Sequence, residues 1–160
     1  MECSDERTFY RRLENEFNSE RAIPVARAAL GLMAVLRCWV DAGNVGRVAL
    51  SASVCHDVVA AILGSGCEPI FCDVDPIDGI VPEKEWARAR SLGASAALVV
   101  HLYGNPVDVS VVRRHFPLID CLIIDDAAQA LGSRNALGLV GGQGDIGMLS
   151  FGATKQVDVG

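Results

Sequence analysis

Lysine is scarce in this chain. Of fourteen basic residues among 160, only Lys84 and Lys155 are lysines, so chemistry that needs a primary amine has two candidates. Lys84, in Pro82-Glu83-Lys84-Glu85-Trp86, reads as a solvated surface charge. Lys155 closes Ser150-Phe151-Gly152-Ala153-Thr154-Lys155, where its neighbours are apolar or small and the chain elsewhere uses arginine for positive charge. A lysine withdrawn from water loses proton affinity and becomes an amine nucleophile. The hydroxyls of Ser150 and Thr154 are near enough to donate to a phosphate.

Upstream, Asp125-Asp126-Ala127-Ala128-Gln129 follows the apolar run Cys121-Leu122-Ile123-Ile124. One acid at a strand end commonly caps the next helix or satisfies backbone amides. Two adjacent acids followed by Gln129, with Lys155 downstream, indicate more. Neighbouring side chains in extended backbone point to opposite sides, so only one of the two is expected to face a site. Between acids and lysine, Gly142-Gln143-Gly144-Asp145-Ile146-Gly147 fits GxGxxG. A dinucleotide site requires a strand before that motif and a helix after it. Here a glycine-rich loop precedes and an apolar strand follows, so the motif reads as a loop.

These groups need a scaffold, and the hydropathy pattern supplies one. Residues 5–20 carry Phe9, Leu13 and Phe17 at four-residue spacing, one apolar stripe on a helix able to dock on a body that follows. Residues 26–42 form a more apolar helix closed by Gly43. The chain then alternates: strand 46–50, helix 54–66, strand 69–74, turn 75–79, helix 82–93 with Pro82 in its first turn, strand 95–101, helix 107–116 and strand 120–125. Residues 130–147 read as glycine-rich loop and 148–156 as a strand running into a turn.

Apolar strands alternating with helices imply a parallel sheet covered on both faces. In such sheets ligands bind beyond the carboxyl ends of the strands. The expected convergence there comprises Ser51, Ser53, Asp73, Asp75, His101, Tyr103, Asp125 and Asp126.

Composition narrows the field. Hydrophobic residues make up 51% and charged residues 21%, the balance of a globular chain, and the net charge of −6 leaves no basic stripe for nucleic acid. No apolar run approaches the ~20 residues of a membrane-spanning helix, and the first twelve residues are not a secretory signal. Six cysteines show no CxxC pair or metal-ligand spacing, so no metal is expected and a reduced, cytoplasmic protein is the economical reading. The chain stops at Gly160 inside what reads as an ordered segment, which suggests a fragment or an early truncation.

The succession EPIFCDVDP, VVHLYGNPVD, IIDDAAQALGS and GGQGDIGMLSFGATKQ resembles the DegT/DnrJ/EryC1/StrS aminotransferases, over nearly the whole chain from about Leu13. The resemblance implies the α/β, three-layer, mainly parallel large domain of the pyridoxal-phosphate-dependent transferase fold type I, present here in part. Residues 1–22 would be a docking helix and 23–160 the partial cofactor-binding domain, without a small domain. By the same resemblance Lys155 would bond pyridoxal 5'-phosphate and shuttle a proton. Asp126 would pair with the ring nitrogen and keep it protonated, Gln129 would contact the ring hydroxyl, and Ser150 the phosphate.

Two segments depart from the family. Its Ser-Gly-Thr-Ala-like phosphate turn reads here Val25-Ala26-Arg27-Ala28, which leaves helix amides at Ala28 and the charge of Arg27 for the anion. Its aromatic-bearing segment reads Ser51-Ala52-Ser53-Val54-Cys55, so no aromatic ring stacks on the cofactor. His56 is the nearest substitute, its other reading being a packed histidine, with Cys55 at the stacking position.

The function this implies is amination of a keto-sugar, in nucleotide-linked form, with a glutamate-like amino donor and a site shared across a homodimer. A non-catalytic remnant that at most binds cofactor or a partner is the alternative. A nicotinamide-dependent oxidoreductase using GQGDIG is a second, and it requires a helix after Gly147.

Overall fold

The β-branched and aliphatic runs of the sequence become the centre of the fold. A computed structural model describes residues 3–151. Its main elements are α1 (Cys3–Glu16), α2 (Ala28–Asp41), β1 (Arg47–Ser51), α3 (His56–Gly64), β2 (Glu68–Cys72), α4 (Glu83–Ser91), β3 (Ala96–Val100), α5 (Val109–Arg113), β4 (Leu122–Asp126), β5 (Arg134–Asn135), β6 (Gly138–Leu139) and β7 (Ile146–Met148). A single 3-10 turn, Leu102–Gly104, follows β3. Among the described residues no helix is long and apolar enough to cross a membrane.

Five strands form one parallel sheet in the order β2-β1-β3-β4-β7. Alternation along each strand sends its side chains to two separate cores. Ala49, Ala97, Val99 and Ile123 meet Trp86 and Ala89 of α4 and Val109 and Val112 of α5, with Phe116 just beyond. Val48, Leu50, Ala96, Leu98, Leu122 and Ile124 meet Leu32 and Leu36 of α2 and Ala61 and Ile62 of α3. The result is the three-layer α/β arrangement expected of such a sequence. Trp86 and Phe116 meet edge to face, with ring centroids 6.3 Å apart.

The chain leaves β1 for β2 on one side and then crosses to β3 on the other, so the strand order reverses between β1 and β3. That reversal opens a crevice at the carboxyl edge. A cleft of about 220 Å³ lies there, lined among others by Ser51, Ser53, Asp78, Val100, Tyr103 and Asn105.

Several expectations shift. Helix 107–116 shortens to Val109–Arg113, because Asp108 caps it through Ser110 N (2.9 Å) and Pro117 follows closely. Pro82 is the N-cap of α4 and stands just before its first turn. The glycine-rich loop carries the small antiparallel hairpin β5–β6, and the last strand starts at Ile146, two residues earlier than expected, with no regular structure at 149–151. Residues 152–156 of the expected strand and turn lie outside the described residues. At the N-terminal side, Phe9 meets Phe151 edge to face at 5.3 Å. A Cβ on Gly142 would lie 2.8 Å from the Phe17 carbonyl oxygen, so the chain after α1 lies directly against the glycine loop.

Leu98 is fully buried at the centre of the sheet under α2 and α3. Leu98→Ala should therefore cost about 2–5 kcal/mol by transfer and cavity terms, read from denaturant midpoints at constant slope. Leu118→Ala, at a side chain 73% exposed, should stay within about 0.5 kcal/mol.

Candidate functional site

The two adjacent acids at the end of β4 divide, as alternation requires. Leu122 and Ile124 face the α2–α3 layer while Ile123 faces α4–α5, so Asp126 projects to the α2–α3 side and Asp125 to the other. Asp126 is 5% exposed, and its Oδ1 accepts from Ala128 N at 2.9 Å.

Two helix starts share that side and that edge. α3 follows directly from the carboxyl end of β1, and its N-cap is Cys55. α2 runs back along the sheet into the amino end of β1, so its own beginning, Arg27-Ala28, returns to the carboxyl edge. Neither N-cap side chain bonds its helix, and the first turn of α2 holds no acid. The first amides of a helix have no intrahelical acceptor, and the helix dipole makes that end electropositive. The exposed Arg27 adds a full positive charge. β4 is separated from β1 by β3 alone, which places Asp126 roughly 10 Å across the sheet from the end of β1. One face of one edge thus presents a carboxylate at one end and cationic, amide-rich helix starts at the other. That polarity suits an elongated molecule with a protonated nitrogen at one end and an anion at the other.

The remaining expected groups distribute unevenly. Gln129 is half-buried and its Oε1 accepts from Tyr103 N at 3.3 Å, which ties it to the loop after β3. Ser150 is half-buried after β7. His56 is not packed in the core: its side chain is 91% exposed and pairs with Asp57 at 3.0 Å, because it opens α3 ahead of the buried positions Ala61 and Ile62. Cys55 beside it is exposed, and the ligand atoms of Cys55, His56 and Asp57 lie within 4.8 Å of one another on one solvent-facing turn. Lys155 and Thr154 lie outside the described residues.

Convergence of all eight edge residues does not occur. Asp75 is absorbed in its own turn, accepting from Ile77 N at 2.8 Å. Asp73 is exposed, its amide held by Glu85. Ser51 and Ser53 line the cleft with Tyr103, whose side chain is 87% exposed and whose backbone holds φ +54. His101 and Asp125 are fully buried and bonded to each other through Nε2 and Oδ1. The two carry a structural network in place of an open edge.

That network was hidden from the sequence. Asp125 Oδ2 accepts from Gly141 N and Gln143 N, both at 2.8 Å. Gln143 in turn bonds Asn135 and the carbonyls of Gly138 and Leu139, which locks the β5–β6 hairpin. Asp145 accepts from Ile123 N at 2.7 Å and pairs with Arg113 at 2.6 Å. The glycines are dictated by contact: a Cβ on Gly144 would lie 2.7 Å from Ile123 O, and one on Gly147 would lie 1.9 Å from Gly141 O. GQGDIG therefore packs against β4 and feeds the strand β7. The helix that a dinucleotide site needs after Gly147 is replaced by that strand, which removes the nicotinamide reading.

The chain matches the DegT/DnrJ/EryC1/StrS aminotransferase family over residues 3–160. It is similar to the dTDP-4-amino-4,6-dideoxy-D-glucose transaminase of Shigella dysenteriae, 34% identical over 91 residues, which are 57% of this chain and 25% of that protein. With the L-glutamine:2-deoxy-scyllo-inosose aminotransferase of Streptomyces kanamyceticus it shares 28% identity over 159 residues, 98% of this chain and 36% of the relative. The solved aminotransferase from Psychrobacter cryohalolentis superposes with a TM-score of 0.84 at 24% identity, covering 96% of this chain and 39% of that one. The chain thus spans 25% to 39% of the lengths of these proteins.

Two measurements probe this site without any ligand. Gly147→Ala should destabilise the fold by about 3 kcal/mol or more through backbone collision, whereas Gly43→Ala, with nothing within 4 Å and φ +89, should cost only about 1 kcal/mol of strain. Alkylation of the native chain at pH 8 should label the exposed Cys38 and Cys55 before Cys72 and Cys121. Burial pushes the thiols of Cys72 and Cys121 up to about 11, which leaves roughly a thousandth of each as thiolate. Peptide mapping checks the order, and early labelling of Cys72 would contradict the burial described.

Proposed function

The chain belongs to the DegT/DnrJ/EryC1/StrS aminotransferase family, and from that premise we propose that it is the cofactor-binding part of a pyridoxal-phosphate-dependent enzyme that aminates a keto-sugar. The observation that carries this reading is the shared placement of Asp126 and the uncapped starts of α2 and α3 on one face of the carboxyl edge. Pyridoxal phosphate has a protonatable ring nitrogen at one end and a phosphate at the other, so the residues present fit the group.

In this reading Asp126 accepts from the ring nitrogen and keeps its proton in place, and the buried position of the carboxylate strengthens that hold. The amide of Ala28, the guanidinium of Arg27 and the hydroxyl of Ser150 bind the phosphate. Gln129 orients the ring through its hydroxyl. His56 and Cys55 cover the ring where relatives use an aromatic side chain. Lys155 would hold the cofactor through its amine and would carry the proton exchanged at the reacting carbon. Bound there, pyridoxal phosphate supplies the electron sink that makes amino-group transfer accessible.

The finer assignments belong to the same proposal: a nucleotide-linked keto-sugar as acceptor, a glutamate-like donor, a homodimer that completes the site, and action in the cytoplasm. So does the division into a docking helix, 1–22, and a partial large domain, 23–160.

Borohydride reduction in the presence of pyridoxal phosphate, followed by peptide mapping, tests the reading. The adduct should fall on Lys155 and not on Lys84, and Lys155→Arg should abolish it. Asp126→Asn should weaken cofactor binding by about 2 kcal/mol or more, roughly thirtyfold. Pyridoxal phosphate should also slow alkylation of Cys55 and leave Cys38 unchanged. A folded chain with no Lys155 adduct would replace this reading with that of a non-catalytic remnant.

A further inference from the structure

The network behind the site runs in one direction. Val107 N donates to His101 Nδ1 at 2.9 Å, so the ring proton sits on Nε2 and is donated to Asp125 Oδ1. Gly141 N and Gln143 N donate to the other oxygen of the same carboxylate. Every donor points towards Asp125, and a carboxylate is the group that accepts from all of them without offering a proton. Both side chains are fully enclosed, where an unmatched polar group is costly.

The two ends of this chain of bonds hold different loops. The Val107 end closes the segment from Leu102 to Pro106, which contains Tyr103 at φ +54 and Gly104 at φ +83 and borders the cleft. Backbone in that region persists only when its surroundings fix it. The Asp125 end holds the glycine loop that leads into β7 and then to the segment bearing Lys155. We propose that His101 and Asp125 are positioning residues that couple the Tyr103 loop to the glycine loop. Disturbing one end loosens the other, while the bonds from Asn135 to Val107 O and Gln143, from Ser133 to Gly104 O and from Tyr103 N to Gln129 stay in place when residues 101 and 125 are changed.

The chemistry makes the coupling specific. An asparagine at 125 would turn an N–H either towards the amides of Gly141 and Gln143 or towards the proton on His101. In the second case the imidazole must give up its Nε2 proton and carry one on Nδ1, facing the N–H of Val107. Either arrangement sets donor against donor. A glutamine at 101, by contrast, offers an acceptor and a donor with the polarity of the imidazole.

Amide hydrogen exchange on the full chain tests this. In Asp125→Asn, exchange should accelerate about tenfold or more at Val107 as well as at Gly141 and Gln143, although the Val107 amide does not touch residue 125. His101→Leu should open Gly141 and Gln143 from the opposite end, and His101→Gln should restore protection to within about threefold of the parent. If Asp125→Asn does not fold, the two His101 variants decide alone. Unchanged protection at Gly141 and Gln143 in His101→Leu, or no recovery in His101→Gln, overturns the coupling. In the parent, nitrogen-15 spectra of the three histidines should show His101 as the Nε2-protonated tautomer, and an Nδ1-protonated ring overturns the proposal. Labelling of Lys155 by pyridoxal phosphate and borohydride should fall relative to Lys84 in His101→Leu and recover in His101→Gln. That last arm rests on the proposed role of Lys155. If even the parent is not labelled there, the functional reading fails while the exchange data still judge the relay.

Discussion

A carboxylate with no access to water must have its charge answered by fixed donors, and Asp125 is that constraint in this fold. Its two oxygens collect the imidazole of His101 and two amides of the glycine loop. Charge-assisted bonds of this kind are stronger than neutral ones and better directed. They draw the chain after β4 back against the sheet, set the position from which β7 can pair with β4, and fix the loop after β3. Removing one partner would leave a buried charge short of donors, a far larger penalty than the net worth of any one bond.

The glycine spacing is a consequence of that packing. A loop drawn this close to β4 has no room for side chains at 144 and 147, since both would collide with backbone carbonyls. Gln143 stands between Gly142 and Gly144, where its amide group reaches the hairpin carbonyls and Asn135 together. A pattern that in another context cradles a phosphate here allows one strand to lie tightly beside its neighbour. The deciding feature is the element that comes after the glycines, and that element is a strand.

Most of the scaffold was legible because buried parallel strands are written as continuous aliphatic runs with helices between them. The segments at Val48–Leu50, Ala96–Val100 and Leu122–Ile124 have that form, and each is a strand in the sheet. Asp126 was legible as one of two acids, and the strand period selects it over Asp125 once β4 has a defined face. The role of His101 was not legible, since a histidine at a strand end reads the same whether it faces solvent or a carboxylate 24 residues away. The hairpin at 134–139 escaped for a related reason. Its strands are two residues long, and it is held by side chains of Asn135 and Gln143, neither of which leaves a hydropathy signal. The packed reading of His56 failed because the helix began two residues later than its apolar pattern suggested, leaving the histidine on the solvent side of the first turn.

Two adjacent acids can therefore serve opposite ends of one problem. A strand cannot turn neighbouring side chains to the same side, so a sheet that offers one carboxylate to its α2–α3 face must bury or expose the next on the other. Here the second is buried, and its charge is spent on the loops that frame the first. The arrangement divides the pair: Asp126 lies on the face that carries the starts of α2 and α3, while Asp125 works behind the sheet through His101, Gly141 and Gln143. Precision at the edge then depends on a residue that never reaches it. Electrostatic preorganisation demands such support, because a polar group left to find its own position gives up in reorganisation what it would contribute in attraction.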